Sequence, residues 1–452
     1  MSDHVDVVVL GMGPGGEEVA GRLAEAGLRV VGVEKELLGG ECPYWACVPT
    51  KMMVRAAGAL AEARRVPGLA GGTDVRPDWA PVAARIRDEA TDDWDDRVAV
   101  DRFTGKGGVF VRGEGRLAGP DRVAVGDTEY TAARAVVVAT GTRPAIPPVD
   151  GLADTPYWTN REAVSARSLP SSMAVLGGGA VGLELAQAYA RFGVRVTVIE
   201  SVDRLLVNEE PESSTVVADA LGRDGVSVRV GARATRVSHD GHAFTIGLAD
   251  GDPVTAERLL VATGRRVDLA RLGVDTVGLD PGASAVNVDE RMRAGERLWA
   301  VGDVTGRGAF THVAMYQADI AVRDILGEGG PAADYRALPR VTFTDPEVGA
   351  VGLTESGARE AGVRVSCGVA SLPKSARGWI HKAGNEGFIK LVADADRGVL
   401  VGATSAGPVG GEVLAGLAVA VHAEVPLDRL KQMIYAYPTF HRAISDALRE
   451  MA

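Results

Sequence analysis

VDVVVLGMGPGGEEVAGRLAEAG, residues 5–27, decides how the rest of the chain is read. Its opening run, 5–10, is almost continuously apolar, as expected of a strand buried on both faces. It enters Gly11-Met12-Gly13-Pro14-Gly15-Gly16, and EEVAGRLAEAG then reads as a helix ended by Gly27. A second strand, 28–33, delivers Glu34. Strand, glycine turn, helix, strand and acid together make a full nucleotide fingerprint. Gly11 suits the turn, Gly13 lets backbone approach a pyrophosphate, and Gly16 lets helix pack on strand. The helix N-terminus faces the phosphates, and Glu34 stands where a carboxylate accepts from ribose hydroxyls.

The same pattern returns later in the chain. Residues 173–176 lead into Gly177-Gly178-Gly179-Ala180-Val181-Gly182, a helix LELAQAYARFG follows, and the strand 194–199 ends at Glu200. Gly177, Gly179 and Gly182 take the three glycine roles. Two dinucleotide sites in one chain imply two cofactors, one of them expected to be a tightly bound flavin. Glu200 would repel a 2′-phosphate, which favours NADH over NADPH. Arg204, close behind, keeps NADPH possible.

Two further strand-like runs end in a shared phrase: 135–139 before Thr140-Gly141, and 259–262 before Thr263-Gly264. Each lies roughly a hundred residues after one fingerprint. LWAVGD, 298–303, ends a buried strand on Asp303, placed to hold a polyol hydroxyl, although such an Asp is more often a turn residue. From about 336 the texture changes to alternating segments such as VTFTD, GFIKLVAD and VLVGATSAG. These suggest an antiparallel sheet with helices. GGEVLAGLAVAVHAE is apolar on nearly every face, which implies packing against a second subunit as well as its own domain.

Bulk properties agree. At 452 residues the chain exceeds one ordinary core. Its 58 glycines are nearly twice the usual share of about 7%. A net charge of −11 argues against a nucleic-acid groove. No secretory signal or membrane span is read, and three cysteines make no secreted disulfide framework, so a cytoplasmic location is expected. Two of those cysteines, Cys42 and Cys47, lie in GECPYWACVPTK, residues 40–51. By residues alone they could be a staple, part of a metal site or a redox pair. Zinc would need further Cys or His at short spacing, and none is nearby, so no metal site is assigned.

Together these residues resemble the pyridine nucleotide-disulfide oxidoreductases, the family of glutathione reductase, lipoamide dehydrogenase and mercuric reductase. The stretch from Gly39 matches the redox motif GG-x-C-x-x-x-x-C-x-P-x-K. ATG at 139–141, ATGRR at 262–266, AVGD at 300–303, THVA at 311–314 and FTDPEVGAVGLTE at 343–355 follow in family order. The resemblance implies an α/β fold with two Rossmann-like dinucleotide-binding domains and a C-terminal α+β dimerisation domain. FAD would occupy 1–148 with 271–335, NAD(P)H 149–270, and the interface domain 336–452. A homodimer would share each active site across subunits. Cys47, if a helix begins there, gains thiolate character from the helix dipole and would be the charge-transfer thiol. Cys42 would be the interchange thiol, and Lys51 would pair with Glu184 near the flavin N5.

The resemblance fails at the far end. Thiol-using members carry His-Pro-Thr-x-x-Glu there, and this chain has Tyr437-Pro438-Thr439-Phe440-His441-Arg442. Tyr437 replaces the base and Arg442 its orienting carboxylate. A phenol with a pKa near 10 is a poor general base at pH 7. The expected activity is therefore NADH-driven reduction, through FAD and the cysteine pair, of a non-standard disulfide or comparable small-molecule acceptor. Direct flavin reduction of a quinone or a soft metal ion is the alternative, with lipoamide oxidation or a non-catalytic flavoprotein less favoured. Tyr44 and Trp45, beside Cys42, would either pack beneath the flavin domain or offer an apolar platform.

Overall fold

The computed structural model describes residues 2–451. Contacts group the chain into two compact units. One comprises Met1–Pro49, Ala84–Ala145 and Gly264–Asp334; the other comprises Thr50–Ala83, Ile146–Thr263 and Tyr335–Ala452. The helix Cys47–Arg65 carries the chain from one to the other.

In the first unit the strand Ser2–Leu10 lies between Val30–Glu34 and Thr128–Val138, parallel to both. Val7, Val8, Val9 and Leu10 are fully buried, which is why the run carries almost no polar residue. The register pairs Leu10 with Val33 on one side and Val138 on the other. Leu298–Ala300 joins Thr128–Val138 in parallel, with Ala300 opposite Val138. The glycine turn, Thr140-Gly141 and Gly302-Asp303 consequently emerge at one end of the sheet. Gly11 N–H donates to Val33 O at 2.8 Å, and Val301 N–H to Val138 O at 3.0 Å.

The second unit repeats the device. Its parallel sheet runs in the order Ser227–Arg229, Arg195–Ile199, Ser172–Leu176, Arg258–Val261. Leu176 pairs with Ile199 and with Val261, so Gly177 leaves its strand as Gly11 does. The same unit holds a five-stranded antiparallel sheet, ordered Pro339–Thr342, Glu347–Gly352, Val399–Gly407, Phe388–Asp394, Val365–Ser371. Leu391 and Leu400 share a core there with Leu414, Leu417 and Leu448. The helix Gly410–His422 buries Leu414, Leu417, Ala420 and Val421 but leaves Val419 exposed. Among the described residues, no helix is long and apolar enough to cross a membrane.

Candidate functional site

The two glycine turns are built alike. Gly11 and Gly177 have φ of +90° and +110°, where a side chain is strained. A Cβ on Gly11 would lie 2.5 Å from Ala139 O, and one on Gly177 would lie 2.3 Å from Ala262 O. A Cβ on Gly16 or Gly182 would strike the carbonyl of Gly11 or Gly177. The middle glycines differ: at Gly13 and Gly179 nothing lies within 4 Å of where a Cβ would stand. Each of these two caps a helix of 12 residues, Pro14–Glu25 and Ala180–Arg191, without any side-chain cap bond. Open space over first-turn N–H groups fits a pyrophosphate at both places.

The acids at the strand ends are equally matched. Glu34 accepts from the N–H groups of Met12 and Glu36, both at 2.9 Å. Glu200 accepts from Gly178 N–H at 2.6 Å and Val202 N–H at 3.0 Å. Each carboxylate is thus fixed in orientation with lone pairs left for ribose hydroxyls. The chain fits two dinucleotides. Arg204 spends its guanidinium on the carbonyls of Leu206, Val207 and Glu209 and on Ser214 Oγ, at 2.6–3.1 Å.

Asp303 follows its strand as expected and accepts from Thr142 Oγ1 at 2.7 Å. Arg265 donates through Nε to Thr142 Oγ1 at 2.7 Å and through Nη2 to Thr142 O at 2.8 Å. Its Nη1 lies 3.7 Å from Glu41, the residue before Cys42. Thr140 and Gly141 sit beside this network, with Gly141 at φ +63° facing open space. Gly264, at φ +113°, also faces open space, and its carbonyl accepts from Ala145 N–H at 2.9 Å.

The redox motif is pinned to the first glycine turn. Gly39 N–H donates to Met12 O at 2.7 Å, and a Cβ on Gly40 would come within 2.8 Å of Gly13 Cα. Cys42 lies in the short helix Glu41–Tyr44, and Cys47 opens the 19-residue helix Cys47–Arg65. Both are half-buried thiols. Cys47 Sγ is 3.4 Å from the Thr311 hydroxyl, at the first residue of the helix Thr311–Leu326. Tyr44 is buried with its ring against Gly39, so it packs into the fold instead of offering a platform; only Trp45 keeps partial exposure. Cys367 stands apart on its strand, where burial first and the nearby Glu355 second push its thiol up to about 11. Both effects disfavour its thiolate at neutral pH.

In the second unit Lys51 Nζ meets Glu184 Oε2 at 2.7 Å. The other oxygen of Glu184 accepts from Phe343 N–H at 2.8 Å, and Lys51 Nζ also lies 4.6 Å from the centre of the Phe343 ring. Residues 133 positions apart are therefore joined through a carboxylate that is 4% exposed. At the C-terminal end, Tyr437 is 71% exposed and the Arg442 guanidinium lies 5.9 Å from its ring centre. The peptide bond between Tyr437 and Pro438 is cis. His441 turns elsewhere, toward the Thr439 hydroxyl at 3.4 Å and the Tyr435 ring. Arg265, Thr311 and Phe343 lie in motifs read from the sequence and Thr142 directly follows one, yet the sequence assigns them no role, because their partners lie on distant segments.

Comparison with known proteins gives this arrangement a family. The pyridine nucleotide-disulphide oxidoreductase model matches residues 5–318, and that family's dimerisation-domain model matches residues 338–448. The dihydrolipoyl dehydrogenase of Halobacterium salinarum is 34% identical over 469 residues, spanning 99% of this chain and 96% of that one. The mercuric reductase of Streptomyces lividans is 34% identical over 451 residues, spanning 97% and 94%. The crystal structure of LpdA from Mycobacterium tuberculosis superposes with a TM-score of 0.85 at 28% identity, covering 98% of this chain and 99% of that one. The chain belongs to the pyridine nucleotide-disulphide oxidoreductases, an enzyme family whose members use FAD and NAD(P)H.

Proposed function

We propose that the chain uses NADH to reduce a non-standard disulfide, or a comparable small-molecule acceptor, through Cys47 and Cys42. The observation that carries this reading is a complete redox loop, anchored on a pyrophosphate cradle, in a chain whose base position holds Tyr437 with Arg442 beside it. FAD, when bound, supplies the two-electron link between nicotinamide and the cysteine pair. Residues 1–148 with 271–335 would bind it, 149–270 would bind NADH, and 336–452 would pair two copies of the chain.

The protein's own groups then have defined tasks. The Cys42 thiolate attacks one sulfur of the acceptor disulfide; that S–S bond breaks and the first sulfur leaves as a thiolate that takes a proton from solvent. The Cys47 thiolate then attacks Cys42 Sγ, forming the Cys42–Cys47 disulfide and releasing the second sulfur as a thiolate, which takes a second solvent proton. The acceptor gains two electrons and the cysteine pair loses them. The N-terminus of the helix Cys47–Arg65 favours the anionic form of Cys47. Glu184 holds the Lys51 ammonium in place. Tyr437 of the partner subunit donates a hydrogen bond to the departing sulfur, and Arg442 of the partner subunit favours an acceptor bearing negative charge. Glu200 with an otherwise engaged Arg204 supports NADH over NADPH.

Cys42→Ser tests this with 5,5′-dithiobis(2-nitrobenzoate) as the disulfide. Loss of NADH-driven thiol release supports the reading, and full activity in the variant sinks it. Reduction of a quinone but not of the disulfide by the unaltered enzyme would favour the second reading, direct reduction by the flavin. The absence of a histidine at position 437 fits that reading as well.

A further inference from the structure

Asp92, Asp93 and Trp94 have φ of 49°, 52° and 60°. Three consecutive non-glycine residues in the left-handed region are unusual, because each Cβ crowds its neighbouring carbonyl and such residues ordinarily occur singly. The turn ends the π-helical stretch Ile86–Ala90. Buried Thr91 braces it by donating to Ile86 O and accepting from Trp94 N–H. Strain kept in place by its surroundings directs attention to what it orients.

It orients two anchors, and both fall on the redox loop. Trp94 Nε1–H donates to Tyr44 O at 3.2 Å. Asp96, itself buried, accepts from Leu38 N–H at 2.6 Å and holds Arg112 Nη2 at 2.5 Å. Leu38 precedes Gly39-Gly40-Glu41-Cys42, and Tyr44 follows it. One short segment thus grips both arms of the loop that carries Cys42, and the glycine turn holds the arm before it.

We propose that Trp94 and Asp96 are positioning residues that fix the presentation of Cys42 to its acceptor. This rests on the reading of Cys42 as the interchange thiol. Without the grip on Tyr44 the Glu41–Tyr44 turn loses one of its holds, and the access and local field of the Cys42 sulfur change with it. Trp94 acts through the loop and needs no contact with the acceptor.

The test is the rate at which iodoacetamide alkylates Cys42, located by peptide mass, in the FAD-loaded enzyme as a function of pH. Tris(carboxyethyl)phosphine-reduced enzyme reads the clamp alone; NADH-reduced enzyme reads the electron path. Trp94→Phe keeps a ring and removes the donor. Its alkylation rate should change by about fivefold or more, the shift expected of one neutral hydrogen bond, with FAD content unchanged. Asp96→Asn reads the other anchor should W94F lose FAD, and it should change the rate in the same direction. Wild-type rates and pH profiles in both phosphine-reduced variants overturn the proposal. A phosphine-dependent effect with no NADH-dependent alkylation in the wild type leaves the clamp standing and removes the proposed electron path.

Discussion

Replacing Glu184 by Gln takes one acceptor away from two donors. The native carboxylate serves Lys51 Nζ through one oxygen and Phe343 N–H through the other. Glutamine has a single carbonyl oxygen, so one donor must face its NH2 group. Lys51 is 38% exposed and can turn to water, so Phe343 keeps the oxygen and the lysine is released. A charge-assisted bond of this kind, discounted for that exposure, is worth about 1–2 kcal/mol. Alanine would leave Phe343 N–H without its acceptor beside a cavity while the lysine turns to water, at a cost of about 2–4 kcal/mol. E184Q should slow flavin reduction by NADH about 5–30-fold and lower stability by about 1–2 kcal/mol. Stopped-flow absorbance of the FAD-loaded enzyme measures the first, thermal unfolding the second. Lys51→Met should give a similar rate, and the double variant should be no slower than either. Wild-type reduction by E184Q, or additive losses in the double variant, would refute the reasoning.

Other expectations concern charge. Lys390, 5% exposed, sits 2.9 Å from each of Glu210, Glu212 and Glu355. Lys390→Met leaves the buried Glu210 uncompensated and should cost about 3 kcal/mol in denaturant unfolding, with K390M/E210Q recovering part of it. Hydrogen bonds from Arg359, then from Lys390, hold Glu355 down at about 2 against an ordinary 4.5. A carboxylate lowered on folding stabilises fully above its unfolded value and loses that contribution as pH falls through the folded one. Glu355→Gln should therefore flatten the acid limb of stability between pH 4.5 and about 2, read from unfolding midpoints across that window. Glu200→Ala should weaken NADH about tenfold, one lost acceptor for ribose, and narrow the gap to NADPH; the NADH and NADPH concentrations for half-maximal flavin reduction measure both.

The parts of this fold that a reader of the sequence could see are those whose physics is local. Gly11 and Gly16 meet within one turn, and the strand carrying Leu10 is apolar because both its faces are covered. The pairing of Lys51 with Glu184 came from family resemblance, since nothing near either residue announces the other. Within GFIKLVAD nothing marks Lys390 as buried, because the three carboxylates that let it be buried come from 210–212 and from 355. Nothing in the sequence around Trp94 announces its grip on Leu38 and Tyr44, which depends on a left-handed turn and on segments that only the assembled chain brings together.

An anaerobic titration of the FAD-loaded enzyme with NADH, followed by visible absorbance and by thiol count, decides whether the cysteine pair lies in the electron path. One equivalent should expose two new thiols, at Cys42 and Cys47, with a long-wavelength band and most of the flavin absorbance retained. Bleaching of the flavin by the first equivalent, with no new thiols, would contradict the proposed route.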